Sequence, residues 1–425
     1  MKLKLKLQSV KKFYFLEYFY VLLKSVEKYS EKKQIFDSFK ILKQKYQLGE
    51  SKYKRLIADS ETLTKPQLNR YLYTFEQVID ESKEYNLIVE DKNSDLHLTD
   101  EGQRLINQFQ NDGILQFNQS LLKHMEYKYN AFRYIINFLY EANKHKPGLV
   151  IIPNYSPRQL DFEKSEIQTT ADIIKYSKAL VEKLQNDIKN YLGQNRNLEK
   201  ENEELINRLF ESKLISKSNN ERFSPEKYNV ITKRFRDFWI TYFLQKIYNF
   251  EYSMSSFDIW TYRGKRIGII QATEFYPNFN GRIVYPTSVI VKSTNSCDFQ
   301  KLFNYDDGYN LYVHNPIGES NQNKFVDALV NAYFILRRSN PSYFINLSAL
   351  RELVCYSMKI SDNIFQNYLE NTYKLNLAGK LKIRISLEVD KLPEETKAIY
   401  LKREPVMVDG KYRNIIAIDV TKGVI

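Results

Sequence analysis

The chain has 425 residues, with 64 Lys and Arg against 51 Asp and Glu and a formal net charge of +13. At roughly 100–200 residues per domain, this length predicts two to four domains. A hydrophobic content of 43% with 27% charged residues excludes disorder as the main state. The 13 Gly and 11 Pro exclude collagen-like and linker-dominated chains and a large glycine-rich phosphate-binding apparatus. Two cysteines, Cys297 and Cys355, cannot build a disulfide framework or a cysteine zinc site, and His97, His124, His145 and His314 are too scattered for a histidine cluster. This usage predicts a reducing, cytoplasmic compartment. The start, Met1 to Leu7, alternates Lys with Leu and lacks a signal peptide's apolar core. Phe13 to Leu23 carries Glu17 and is too short to cross about 30 Å of hydrocarbon, so no membrane partner is expected.

The charge is concentrated. Residues 1–55 hold 15 Lys and Arg and 5 acids, a local net of +10. A basic N-terminal region predicts a polyanion partner, most simply double-stranded DNA, against the alternative of a solvated lysine-rich helix surface. Residues 50–110 read as a winged helix. Thr64 caps a helix opening at Pro66, with Leu68, Leu72, Phe75 and Ile79 facing inward at helical spacing. Leu87 to Val89 and Leu96 to Leu98 then form a hairpin across Asp91–Asp95, and Thr99 caps a further helix. The outer face of the recognition helix presents Gln67, Arg70, Tyr73 and Gln77, side chains suited to base edges and phosphates. Such modules also serve as protein-docking units.

An apolar helix around Phe132, Ile135, Ile136 and Leu139 follows, then a buried strand or connector at Leu149–Pro153. Residues 170–212 read as one long helix. Val181, Ile188, Asn195, Asn202 and Leu209 recur every seven residues, with Leu184, Tyr191, Leu198 and Leu205 on a second seam. This heptad pattern predicts a coiled-coil homodimer through 177–210, with Asn195 and Asn202 setting register. The alternative is intramolecular packing, towards which Gly193 argues.

Ser224 and Pro225 open a helix with Ile231, Phe235, Phe238 and Tyr242 on its apolar face. Strands are expected at Phe257–Tyr262, Arg266–Thr273 and Arg282–Lys292, the first two joined by a turn at Arg263–Lys265, and a packed helix at Phe325–Arg338. Residues 341–425 read as a second winged helix. In it Ser361 caps a helix with Asn363, Gln366, Asn367 and Asn371 outside, Leu381 to Val389 alternates as a half-buried strand, and an Asp409–Gly410 turn closes a hairpin.

The order of elements over residues 220–340, with Asp258 on one strand and Gln271 on the next, resembles the PD-(D/E)xK restriction-endonuclease-like superfamily. The resemblance implies a Mg²⁺ site held by Asp258 and Gln271, the latter in the place of the second acid. It also implies a supporting ligand from Glu226 and a catalytic Lys; because Thr273 occupies the family's lysine position, Lys265 or Lys292 is the candidate. Glu274 is one residue out of register. No Walker A loop, GxGxxG turn, HExxH helix or GxSxG elbow competes.

The expectation is an α+β multidomain protein in four parts: 1–115, a basic region and winged helix; 116–215, a helical region with the heptad helix; 216–340, a restriction-endonuclease-like core; and 341–425, a second winged helix. Its expected function is that of a prokaryotic restriction or anti-phage-type Mg²⁺-dependent DNA endonuclease. The alternative is a non-catalytic DNA-binding or scaffold subunit of a defence or mobile-element complex.

Overall fold

The structure is a computed structural model that describes residues 11, 13–45, 65–143, 148–153, 167–218, 221–273, 281–338, 342–389 and 406–420; the side chains at positions 44, 45, 66, 67 and 70 lie outside the described set. The fold is mixed α+β with small antiparallel sheets. The chain forms two compact units, each built from separate stretches. Unit 1 takes 1–136, 255–271 and 287–425, and unit 2 takes 137–254 and 272–286.

Unit 1 begins with helices α1 (Glu17–Val26), α2 (Lys32–Lys45) and α3 (Lys65–Glu84), the hairpin β1 (Ile88–Glu90) and β2 (Leu96–Leu98), and α4 (Asp100–Tyr129). α1 is buried from Tyr18 to Leu23 and is therefore the centre about which α2, α3 and α4 pack. The hairpin lies where its alternation placed it, pairing Ile88 with Leu98 and Glu90 with Leu96. Leu96 N–H also donates to Ser30 O at 2.9 Å, which ties the α1–α2 connection to β2. Thr99 caps α4 as expected, its side chain accepting from Gly102 N. Thr64 lies outside the described residues.

α4 ends on Asn130, in the left-handed region, and α5 (Ala131–Glu141) starts at once. Glu126 bridges this joint: its carboxylate accepts from Phe132 N (2.7 Å), Arg133 N (3.2 Å) and the Tyr305 hydroxyl (2.7 Å). Burial pushes its carboxyl up to about 7 against the hydrogen bonds that favour the charged form.

Unit 2 contains β3 (Val150–Pro153), α6 (Thr170–Leu192), α7 (Glu199–Glu211) and α8 (Pro225–Tyr242), the last running into a π-helical turn at Phe243–Ile247. The single heptad helix is thus corrected to two. Gly193 adopts φ 65°, a left-handed C-cap conformation that a side chain disfavours, and α6 stops there. Asn195 falls in the connection and Asn202 on α7, where its Oδ1 accepts from the Ser177 hydroxyl. Leu184, Ile188, Leu198, Leu205 and Leu209 are buried within the chain, so the seam expected to join two copies through 177–210 is occupied intramolecularly.

Next come α9 (Met254–Ile267), β4 (Ile270–Thr273), β5 (Gly281–Pro286), β6 (Ser288–Val291), β7 (Phe299–Asn304) and β8 (Asn310–His314). In unit 2, β5 pairs antiparallel with β3, from Val150↔Val284 to Pro153↔Gly281. In unit 1 the sheet order is β6–β8–β7. The strand expected at Phe257–Tyr262 is corrected: these residues lie inside α9. β-branched and aromatic composition suggested a strand, but Phe257, Trp260, Gly264 and Ile267 are buried at helical spacing. Thr261 satisfies its hydroxyl on Phe257 O, one turn back. The expected turn at Arg263–Lys265 is also helical. Its glycine is required by packing, because a Cβ at Gly264 would sit 2.7–3.0 Å from Ile270 side-chain atoms.

The last segment of unit 1 comprises α10 (Glu319–Arg338), β9 (Ile345–Asn346), α11 (Leu347–Met358), α12 (Asp362–Leu377), β10 (Ile383–Glu388), β11 (Val406–Val408), β12 (Lys411–Arg413) and β13 (Ile415–Val420). The sheet order is β10–β13–β9, all antiparallel. β10 alternates buried and exposed residues as its sequence predicted. The Asp409–Gly410 turn joins β11 to β12, while β13 pairs with β10 and β9. Phe325, Leu329 and Tyr333 of α10 share one core with Leu350, Phe365, Leu369, Ile385 and Ile416, so α10 belongs with the elements that follow it.

Candidate nucleic-acid interface

α12 is held by its inner face. Ser361 caps it, accepting from Ile364 N, and Phe365, Tyr368, Leu369 and Thr372 are buried. Phe325 of α10 packs on Phe365 and stacks on Tyr368 at ring distances of 5.4 and 5.1 Å. The Tyr368 hydroxyl donates to Pro316 O at 2.6 Å, and Gln322 Nε2 donates to Thr372 Oγ1 at 2.7 Å. With the helix fixed, its outer side presents Asn363, Gln366, Asn367, Asn371 and Lys374. Among the described residues none of these side chains has a hydrogen-bond or ion-pair partner. Asn363, Asn367, Asn371 and Lys374 follow one another at four- and three-residue steps, which puts them on one stripe of the helix. Carboxamides read adenine edges by paired hydrogen bonds, and a lysine meets phosphate.

The expected interface on α3 is only partly described. Tyr73 is 49% exposed, and the side chains of Gln67 and Arg70 lie outside the described residues. Leu68 and Leu72, expected inside, are 37% and 44% exposed, which is a correction. Among the described side chains of α3, the buried ones lie in its second half, with Phe75, Val78 and Ile79 in the core.

That half is anchored by an ion pair the sequence did not announce. Arg263 on α9 donates from Nη1 and Nη2 to the Glu81 carboxylate at 2.7 and 2.9 Å, and both side chains are fully buried. Nη2 also reaches Phe13 O at 3.3 Å, and the guanidinium lies 4.6 Å from the Phe13 ring centroid and 5.3 Å from that of Trp260. The Tyr85 hydroxyl donates to the same carboxylate at 2.5 Å; burial, reinforced by Glu81, pushes the phenol well up. No charge pattern in the sequence links positions 81 and 263, so only their burial reveals the pair.

The residues expected to form a metal centre are arranged differently. Asp258 sits in α9 rather than on a strand, and Glu226 is in the first turn of α8, in unit 2. Lys265, two turns beyond Asp258, and Gln271 of β4 do meet, but on the N-terminal residue of α12. Gln271 Nε2 donates to Asp362 Oδ1 at 2.7 Å, Lys265 Nζ lies 3.3 Å from Oδ2, and Arg351 Nε lies 3.3 Å from Oδ1. Cys355 Sγ is 3.9 Å from the same carboxylate, its thiol pushed well up first by burial and then by Asp362. Two cations and an amide N–H already converge on this carboxylate. Among the described residues no three His, Cys, Asp or Glu side chains gather at metal-binding distances, and no helix is long and apolar enough to cross a membrane. In comparisons with protein-family models, curated proteins and solved structures, no family, relative or structure matches the chain.

Proposed function

We propose that the protein binds duplex DNA through two winged-helix-like readers in unit 1 and has no phosphodiesterase centre of its own, acting as the DNA-binding or scaffold subunit of a larger system. The observation that carries this reading is the pairing around α12. Helix α10, strand β9, helices α11 and α12 and strands β10 and β13 follow the winged-helix order, with the first strand added to the last. In that arrangement the third helix, here α12, enters the major groove. The N-terminal segment runs in the same order: α1, the Ser30 connection bonded to β2, then α2, α3, β1 and β2. The net +10 over residues 1–55 adds affinity for phosphate.

Duplex binding by the full chain should weaken steeply with salt, log K falling with log salt by about 0.9 per phosphate contacted. Asn363→Ala and Asn367→Ala should each cost about 1–3 kcal/mol of discrimination for the preferred site and leave nonspecific affinity in place. A salt-independent affinity would remove the DNA-binding reading. The endonuclease reading has the helical setting of Asp258 and the engagement of Gln271 with Asp362 against it. Incubating plasmid with Mg²⁺ or Mn²⁺ separates the two: no cutting is expected, and cutting abolished by Asp258→Asn would reinstate the nuclease.

A further inference from the structure

We propose that the cleft between α12 and the segment 315–322 is a nucleotide site selective for bases that carry an exocyclic amine. The cleft has a volume of about 570 Å³, within the range of about 300–1,000 Å³ usual for small-ligand sites. It lies wholly within unit 1, and neither the N-terminal charge nor a bound duplex is needed for the inference. Its apolar lining comes from Pro316 and Ile317 of the 315–322 segment and from Ile364 and Leu375 of α12. Ile317 is 70% exposed at the rim, where a flat ring can lie against it. Tyr368 has no donor left for a ligand, because its hydroxyl donates to Pro316 O.

The polar groups differ from wall to wall. On α10, Gln322 turns its amide nitrogen inward to Thr372 Oγ1 and to Tyr368 O at 3.4 Å. Since the Tyr368 carbonyl can only accept, the amide oxygen is the end left open. Glu319, one turn earlier on the same helix, also lines the cleft and adds a carboxylate. This edge therefore accepts hydrogen bonds and calls for a donor. Along the α12 edge, Asn367 and Asn371 can each donate and accept, and Lys374 follows one turn on. A heteroaromatic ring against the apolar lining, an amine towards Glu319 and Gln322, and a phosphate towards Lys374 satisfy all three features. A sugar alone would leave the apolar lining uncovered, and inorganic phosphate would leave the acceptor edge unmet.

The test uses the full chain with AMP, IMP, adenosine and inorganic phosphate, followed by calorimetry. AMP and IMP differ at the position where a 6-amine is replaced by an oxygen, which would face the acceptors and leave them unpaired. AMP should bind at least about tenfold more tightly than IMP, as expected when a hydrogen bond to a charged group is lost. Lys374→Met should weaken AMP severalfold and leave adenosine unchanged, and Asn371→Leu should weaken both; circular dichroism checks that these exposed substitutions leave the fold intact. Equal affinity for AMP and IMP, or no AMP binding at millimolar concentration, would overturn the proposal. Duplex DNA is titrated in parallel. AMP that displaces DNA would assign the cleft to a base of the bound duplex, and AMP that leaves DNA bound would assign it to a free nucleotide; either result supports the cleft's chemistry. Binding of AMP without binding of DNA would remove the DNA-binding reading alone, and binding of DNA without binding of AMP would remove the nucleotide site alone.

Discussion

Two buried acids in unit 1 show how differently one carboxylate can be accommodated. Glu81 is met by a bidentate guanidinium, so the pair is neutral as a whole, and removing one partner strands the other. Arg263→Met should therefore cost about 3–5 kcal/mol in urea denaturation, and Glu81→Gln added to Arg263→Met should restore part of it, because the cost comes chiefly from the charge left behind. Glu126 has no such cation at its oxygens and relies on two backbone N–H groups and a tyrosine. Its carboxyl is raised to about 7 from the usual 4.5 by burial. The folded state thus holds a proton that the unfolded chain has released between those values. Its stabilising contribution is complete below about pH 4.5 and is lost as pH rises to about 7. In Glu126→Gln that part of the pH dependence should vanish, which unfolding midpoints measured across the window would report; a slope unchanged from wild type would refute it.

At the level of elements, the heptad seam makes a sharp distinction. Leu184 is fully buried inside unit 2, so Leu184→Ala should lower stability by about 2–5 kcal/mol. The loss should be the same at every protein concentration, whereas a dimer seam would make it concentration-dependent. Elements with a local signal were legible in the sequence: the caps at Thr99, Ser224 and Ser361, the β1–β2 hairpin and the alternation of β10 all lie where their residues placed them. α9 was not legible, because Phe257-Asp258-Ile259-Trp260-Thr261-Tyr262 has strand composition and its helical state is set by what it packs against. The break at Gly193 was signalled by the glycine itself, yet seven-residue periodicity persists across it because both helices of the resulting pair bury the same kind of seam. Of the candidate site, the carboxamides of α12 could be read from helical spacing. The cleft beside them could not, since its other wall comes from residues 315–318 and the start of α10, some 50 residues upstream in the sequence (Gln322 to Thr372).

On the scale of the whole molecule, the division into units ignores sequence order, and that decides which pieces are self-sufficient. The core from Phe325 to Ile418 is contributed entirely by residues 319–420. That segment should fold alone, with cooperative thermal unfolding and native-like circular dichroism. Residues 1–136 lack α9 and would expose the surface that packs on Trp260, leaving Glu81 buried without its guanidinium. This fragment should be unfolded or strongly destabilised at 25 °C. Cooperative unfolding of 1–136 as stable as that of 319–420 would contradict the role given to Arg263.

The Glu81–Arg263 pair also fixes an order of events in time. The two partners stand 182 positions apart, so during synthesis the first helices leave the ribosome long before the guanidinium exists. At about 5–20 residues per second, the interval is on the order of 10–35 seconds. For that interval Glu81 has no guanidinium partner, so the buried place it takes beside Arg263 in the finished fold is unfavourable for its charge. Everything between Tyr85 and Trp260, including all three helices of the Thr170–Tyr242 stretch, is translated while the N-terminal helices wait, so completion of the amino-terminal end of this protein is paced by the arrival of its middle.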